Sequence, residues 1–143
     1  MKTKFSQILK LKLNIVNKIE FEILQINNEI LAKKRDIEAL EILISEFSPP
    51  QKSDKYSEFL NFKESVNNIR NKILEENNFL SMLESRKIDT LKQFNKAKIE
   101  YEKINYLHLQ AIQELLKKAR RLEILELDEI ARNKYITQKK AEQ

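Results

Sequence analysis

The chain has 143 residues, 34% of them charged, a net charge of +5, and neither glycine nor cysteine. With a mean hydropathy of -0.57 it has little apolar material for a large globular core, and without glycine it lacks the positive-φ turns that tight β-hairpins use. A disulfide framework and a thiolate metal site are excluded outright, while the basic surplus permits an acidic partner.

The opening MKTKFSQILKLKLNIVNK is basic, but Lys and Asn interrupt its apolar residues every few positions. It therefore has neither the continuous apolar stretch of a signal peptide nor that of a membrane span, and a cytoplasmic protein is expected. From Phe5, alternating steps of four and three reach Leu9, Lys12, Val16, Ile19, Ile23, Ile26, Ile30, Lys33, Ile37, Leu40, Ile44 and Phe47. All but Lys12 and Lys33 are apolar, and Glu, Lys, Asn and Gln fill the gaps. This 3.5-residue period predicts a coiled-coil helix over about residues 3–48.

Ser48-Pro49-Pro50 holds both prolines of the chain. They cannot continue the helix and they bias Ser48 out of helical geometry, so a loop is predicted at 49–53. Ser53 can cap a second helix, with Asp54 beside it at the positive end of the dipole. That helix is expected over about 54–137. Its seam runs through Phe59, Phe62, Val66, Ile69, Ile73, Glu76, Leu80, Leu83, Lys87, Thr90, Phe94, Ala97, Tyr101 and Ile104, apolar except at Glu76, Lys87 and Thr90.

A loop this short brings the second helix back antiparallel to the first, so the fold class is all-α, a two-helix coiled-coil hairpin forming a single domain over 1–143. Setting Phe47 opposite Phe59 places Ile44 on Phe62, Leu40 on Val66, Ile26 on Leu80 and Phe5 on Tyr101. Lys33 and Glu76 then fall in adjacent layers, within reach of each other. Met1 faces Asn105, so the rest of helix two overhangs without a partner from helix one. His108, Ala111, Leu115, Leu122 and Leu125 carry the stripe onward, with Ile112, Leu116, Ala119 and Ile130 beside it, as an exposed docking surface. The alternative is a break at Glu75–Asn78 or Arg86–Lys87 that folds the end back as a third helix.

The chemistry-bearing inventory is thin. His108 is the sole histidine, no thiol exists, and no glycine is available to build a phosphate-cradling loop or an oxyanion nest. No catalytic residue, cofactor-binding residue, cofactor or metal site is assigned, no small-molecule substrate is expected, and the protein is read as no enzyme. Glu123, Glu126, Asp128 and Glu129 make an acidic helix face without the turn and backbone carbonyls of a calcium loop. Lys117, Lys118, Arg120 and Arg121 form the densest basic cluster, but no aromatic residues interleave for base stacking, so no nucleic acid is expected as a partner.

The tail KKARRLEILELDEIARNKY, residues 117–135, resembles the C-terminal motif of the flagellar FliJ family, a basic and glutamate-rich run leading into LDEIA. The opening KFSQILKLKLNIVNKIEFEIL is similar to that family's amphipathic start. Tyr56-Ser57-Glu58-Phe59-Leu60 looks like the start of its second helix. The resemblance implies a coiled-coil stalk of the flagellar type III protein export apparatus, peripheral to the inner membrane at the flagellar base. Its partners would be the export ATPase hexamer, the cytoplasmic domain of the membrane export gate, and export chaperones. Ring contacts would fall on Phe5, Leu9, Leu115, Arg120, Arg121, Leu122, Leu125, Leu127, Asp128, Ile130 and Tyr135. Gate contacts at the hairpin tip would fall on Leu40, Leu43, Phe47, Tyr56, Phe59, Lys63 and Val66. Pro49-Pro50, Lys63 and Arg70 depart from the family's usual tip. A self-associating coiled-coil scaffold without an ATPase partner stands as the alternative function.

Overall fold

The structure is a computed structural model that describes residues 1–50 and 55–142. Helix α1 runs Ser6–Glu46 and helix α2 runs Tyr56–Ala141, and no strand occurs among the described residues. The two pack against each other as an antiparallel all-α hairpin. α2 passes through Glu75–Asn78 and Arg86–Lys87 without a break. Of the loop expected at 49–53, Pro49 and Pro50 are described and non-helical, while residues 51–53 with the Ser53 cap, and Asp54, lie outside the described residues.

Local chemistry explains where the helices stop and start. Thr3 precedes the first turn of α1, and its Oγ1 accepts the N–H of Phe5 at 3.1 Å while its own N–H donates to Ser6 Oγ at 2.8 Å. This reciprocal exchange satisfies donors that a helix start otherwise leaves bare, each such cap contributing roughly 0.5–2 kcal/mol. α1 ends at Glu46, shortly before Ser48-Pro49-Pro50, with a last tight bond from Phe47 N–H to Ile44 O. Glu58 in the first turn of α2 and Lys139 and Lys140 in its last turn complement the helix dipole.

The chain divides into two compact units, one of Met1–Ile15 with Ala97–Gln143 and one of Val16–Lys96. In the second unit the seam is where the heptads put it. Val16, Ile26, Ile30, Ile37, Val66 and Leu83 are buried, and Ile26, Ile30 and Leu83 form a cluster against which Leu80 packs. Each such aliphatic side chain stabilises by about 1.5–3 kcal/mol when fully withdrawn from water. Thr90 is the buried polar residue of the seam, and it is satisfied by donating to Arg86 O one turn back at 2.8 Å.

The register differs from the sequence expectation by one layer. Phe47 packs its ring on Phe62, centroids 6.3 Å apart and tilted by 54°, and Phe59 is left 48% exposed. Lys33 Nζ meets Glu76 Oε2 directly at 2.8 Å, not across adjacent layers, and also lies 4.8 Å from the centre of the Phe79 ring. The physical reason is electrostatic. With Phe47 on Phe59, Lys33 would face Ile73 and Glu76 would face Ile30, and the two charges would meet only across adjacent layers. A three-residue slide sets them directly against each other.

The pair holds both charges. The hydrogen bond from Lys33 keeps the Glu76 carboxyl below the ordinary carboxylate range, against the opposing pull of partial burial, with Lys72 adding to it from 3.6 Å. The same hydrogen bond keeps the Lys33 ammonium above the ordinary lysine value, and Asp36 adds to it. A lowered acid contributes stability that is full above its unfolded pKa and lost as pH falls through the folded one. A raised base contributes stability that is full below its unfolded pKa and lost as pH rises through the folded one. Thermal melts of Glu76→Gln against the native chain should therefore differ by a constant amount across neutral pH, with the gap closing below the ordinary glutamate pKa.

Replacing both charges tests their part in the register. Lys33→Leu/Glu76→Leu should melt at or above the native temperature, since an apolar layer replaces a half-buried ion pair. Cysteine pairs at 26 and 83 or at 26 and 80, compared by oxidation rate, should show Leu83 favoured in the native background and the preference weakened in the double variant. An undiminished preference would mean that the aliphatic packing alone sets the register.

Candidate functional site

Two regions present side chains that the helix packing does not use. The first belongs to the unit of 1–15 and 97–143. There Thr3 Oγ1, already the cap of α1, also hydrogen-bonds His108 Nδ1 at 2.8 Å, and Lys12 pairs with Glu100 at 3.1 Å. The lone histidine thus ties the start of α1 to α2, further along α2 than the expected end of pairing at Asn105. Tyr101, Ile104, Asn105, His108, Ala111 and Ile112 are half-buried, and from residue 113 to 142 every position is exposed.

Where the N-terminal segment leaves α2, a groove of about 470 Å³ opens between Thr3 and Lys4 on one side and Ala111, Leu115, Lys118 and Arg121 on the other. Glu114 and Lys117 also border it. Its lining joins four basic side chains, Lys4, Lys117, Lys118 and Arg121, and one acid, Glu114, to the aliphatic Ala111 and Leu115. The groove was not evident in the sequence, because Thr3 and Lys4 carry no seam signal of their own.

Beyond the groove, α2 carries exposed apolar side chains on opposite sides. Leu115, Leu122, Leu125 and Ile136 continue the seam face, whereas Ile124, Leu127 and Ala131 recur at steps of three and four on the far face and Tyr135 flanks the seam. Leu122 and Leu125 are 60% and 62% exposed. Lys139 Nζ stands 5.8 Å from the centre of the Tyr135 ring. Charge along the same stretch runs in blocks: basic at 117–121, acidic at 123–129 and basic again at 132–140. The second apolar face is present as spacing in the sequence, but the longer and more regular seam period overshadows it there.

The second region lies in the unit of 16–96, at the ends of the helices beside the prolines. Leu43, Phe47, Tyr56, Phe59 and Lys63 are exposed there, whereas Leu40 is half-buried and Val66 is buried in the seam. Of the residues expected to contact a ring, Phe5 and Leu9 are half-buried in their own unit, and Leu115, Arg120, Arg121, Leu122, Leu125, Leu127, Asp128, Ile130 and Tyr135 are all exposed.

Among the described residues, no group of three or more His, Cys, Asp and Glu side chains is placed to hold a metal ion. No described helix is long and apolar enough to cross a membrane. No curated protein and no solved structure matches the chain. A family model described as Flagellar FliJ protein matches residues 1–140. The chain therefore belongs to the flagellar FliJ protein family, and with it to the components of the flagellar export apparatus.

Proposed function

We propose that this protein is a non-enzymatic stalk of the flagellar type III export apparatus, working in the cytoplasm at the inner-membrane base of the flagellum. The start of α1 and the tail of α2 insert into the ring of the export ATPase hexamer. The helix ends beside the prolines, around Phe47 and Phe59, contact the cytoplasmic domain of the export gate, and export chaperones are further partners.

The observation that carries this reading is the exposed tail of α2. A helix apolar on one face leans on one neighbour, but a helix apolar on opposite faces needs enclosure. The central opening of a ring supplies walls on all sides. The alternating charge blocks, basic then acidic then basic, provide polar contacts along the same length without a catalytic group.

Beside the prolines, exposed aromatic side chains suit a hydrophobic pocket on a partner. Tyr56 is 75% and Phe59 48% exposed. Large, half-anchored aromatics of this kind commonly dominate the energetics of protein interfaces.

Removing residues 117–143 should abolish binding to the export ATPase while circular dichroism and the melt of the remaining hairpin stay near native, because those residues are exposed. Unchanged ATPase affinity in the truncated chain would remove the tail from this role. Separately, Tyr56→Ala/Phe59→Ala should weaken binding to the gate domain about tenfold or more, on the order of 1.4 kcal/mol. ATPase binding and thermal stability should be unaffected by that double change; a loss of both would point to a folding defect instead.

A further inference from the structure

Past Ile112 the seam spacing of α2 does not stop. Leu115, Lys118, Leu122, Leu125, Glu129 and Arg132 succeed one another at steps of three and four on the helix face that packs against α1 earlier in the chain. All six are exposed. This is half of a coiled coil, and the charges within it say what the other half is.

Lys118 and Glu129 stand equally far from the midpoint between Leu122 and Leu125. A second copy of the same segment laid antiparallel about that midpoint places Leu122 on Leu125 of the second copy and Lys118 on its Glu129. Two-fold symmetry repeats each contact. Beside the seam, Arg121 comes opposite Asp128 of the second copy, again twice. Among the described residues, Lys118, Arg121, Asp128 and Glu129 take part in no ion pair within the chain. A parallel second copy would instead set Lys118 on Lys118 and Glu129 on Glu129, which repel. The arrangement reuses the Lys33–Glu76 device, a lysine facing a glutamate in an otherwise aliphatic seam.

We propose that the exposed tail of α2 pairs with the tail of a second copy of this chain as an antiparallel coiled coil centred between Leu122 and Leu125. This goes beyond the stalk reading and does not rest on it. The pairing covers Arg121, Leu122, Leu125 and Asp128, so a chain held in the dimer cannot present those residues to an ATPase ring. Self-association and ring binding then exclude each other. The paired section from Leu115 to Arg132 is roughly 25–30 Å long, short for a coiled coil, so the dimer is weak and its population follows concentration.

Sedimentation equilibrium of the full chain from about 1 to 500 µM tests the idea. A reversible monomer–dimer equilibrium that weakens with salt is expected. Lys118→Glu/Arg121→Asp should leave only monomer, and adding Asp128→Arg/Glu129→Lys to the same chain should restore the dimer, with helicity constant throughout. Because the native chain has no cysteine, Leu122→Cys and Leu125→Cys chains give a clean crosslinking test. Mixed, they should oxidise to the heterodimer faster than either forms a disulfide with itself. A monomer at every concentration, a dimer indifferent to the charge reversal, or preferential Leu122→Cys self-crosslinking would each overturn the proposal.

Discussion

The alignment of the two helices leans on one ion pair. A seam of aliphatic heptads tolerates several alignments, because sliding one helix by a layer exchanges one apolar contact for another of similar worth. Lys33 and Glu76 favour one of those alignments, the one in which they meet directly at 2.8 Å and hold each other ionised. Phe47 then meets Phe62, and Phe59 is freed to solvent. The alignment in which the pair forms is thus also the one that leaves Phe59 and Tyr56 exposed beside the prolines.

A second asymmetry comes from the prolines. Placed a third of the way along, Pro49 and Pro50 end α1 early, and α2 at 86 residues is about twice the length of the 41-residue α1. The unit containing both the N-terminal segment and the tail of α2 pairs them only as far as Ile112. From there to its end α2 keeps the heptad spacing but has no intramolecular partner. A helix of this kind is costly to leave bare, and its chemistry is that of an interface, either enclosed by a ring or closed upon its own copy. If the same side chains serve both proposed roles, the two states would compete through geometry and not through an added regulatory site.

His108 illustrates how little such a fold needs in the way of special chemistry. In a chain with one histidine and no thiol, catalysis or metal binding would be the first suspicion for that residue. Its Nδ1 is instead tied to Thr3 Oγ1, the hydroxyl that caps α1. One side chain thus joins a helix cap to the neighbouring helix, a structural use that secures the end of the N-terminal segment beside the basic groove.

The two helices, their antiparallel return and most seam residues are legible in the sequence from a 3.5-residue period, a lack of glycine and one Pro-Pro break. The continuity of α2 through Glu75–Asn78 and Arg86–Lys87 is decided only in the structure. The LDEIA stretch also carries the family resemblance, which the match over residues 1–140 bears out. The layer in which the helices meet, the bond between Thr3 and His108, and the groove beside Lys4 emerge only when the helices are packed. Periodicity states which face of a helix is turned inward, but alignment along the axis depends on the energies of particular pairs across the seam. Those pairs are separated by long stretches of chain, and their distances exist only once both helices are in place.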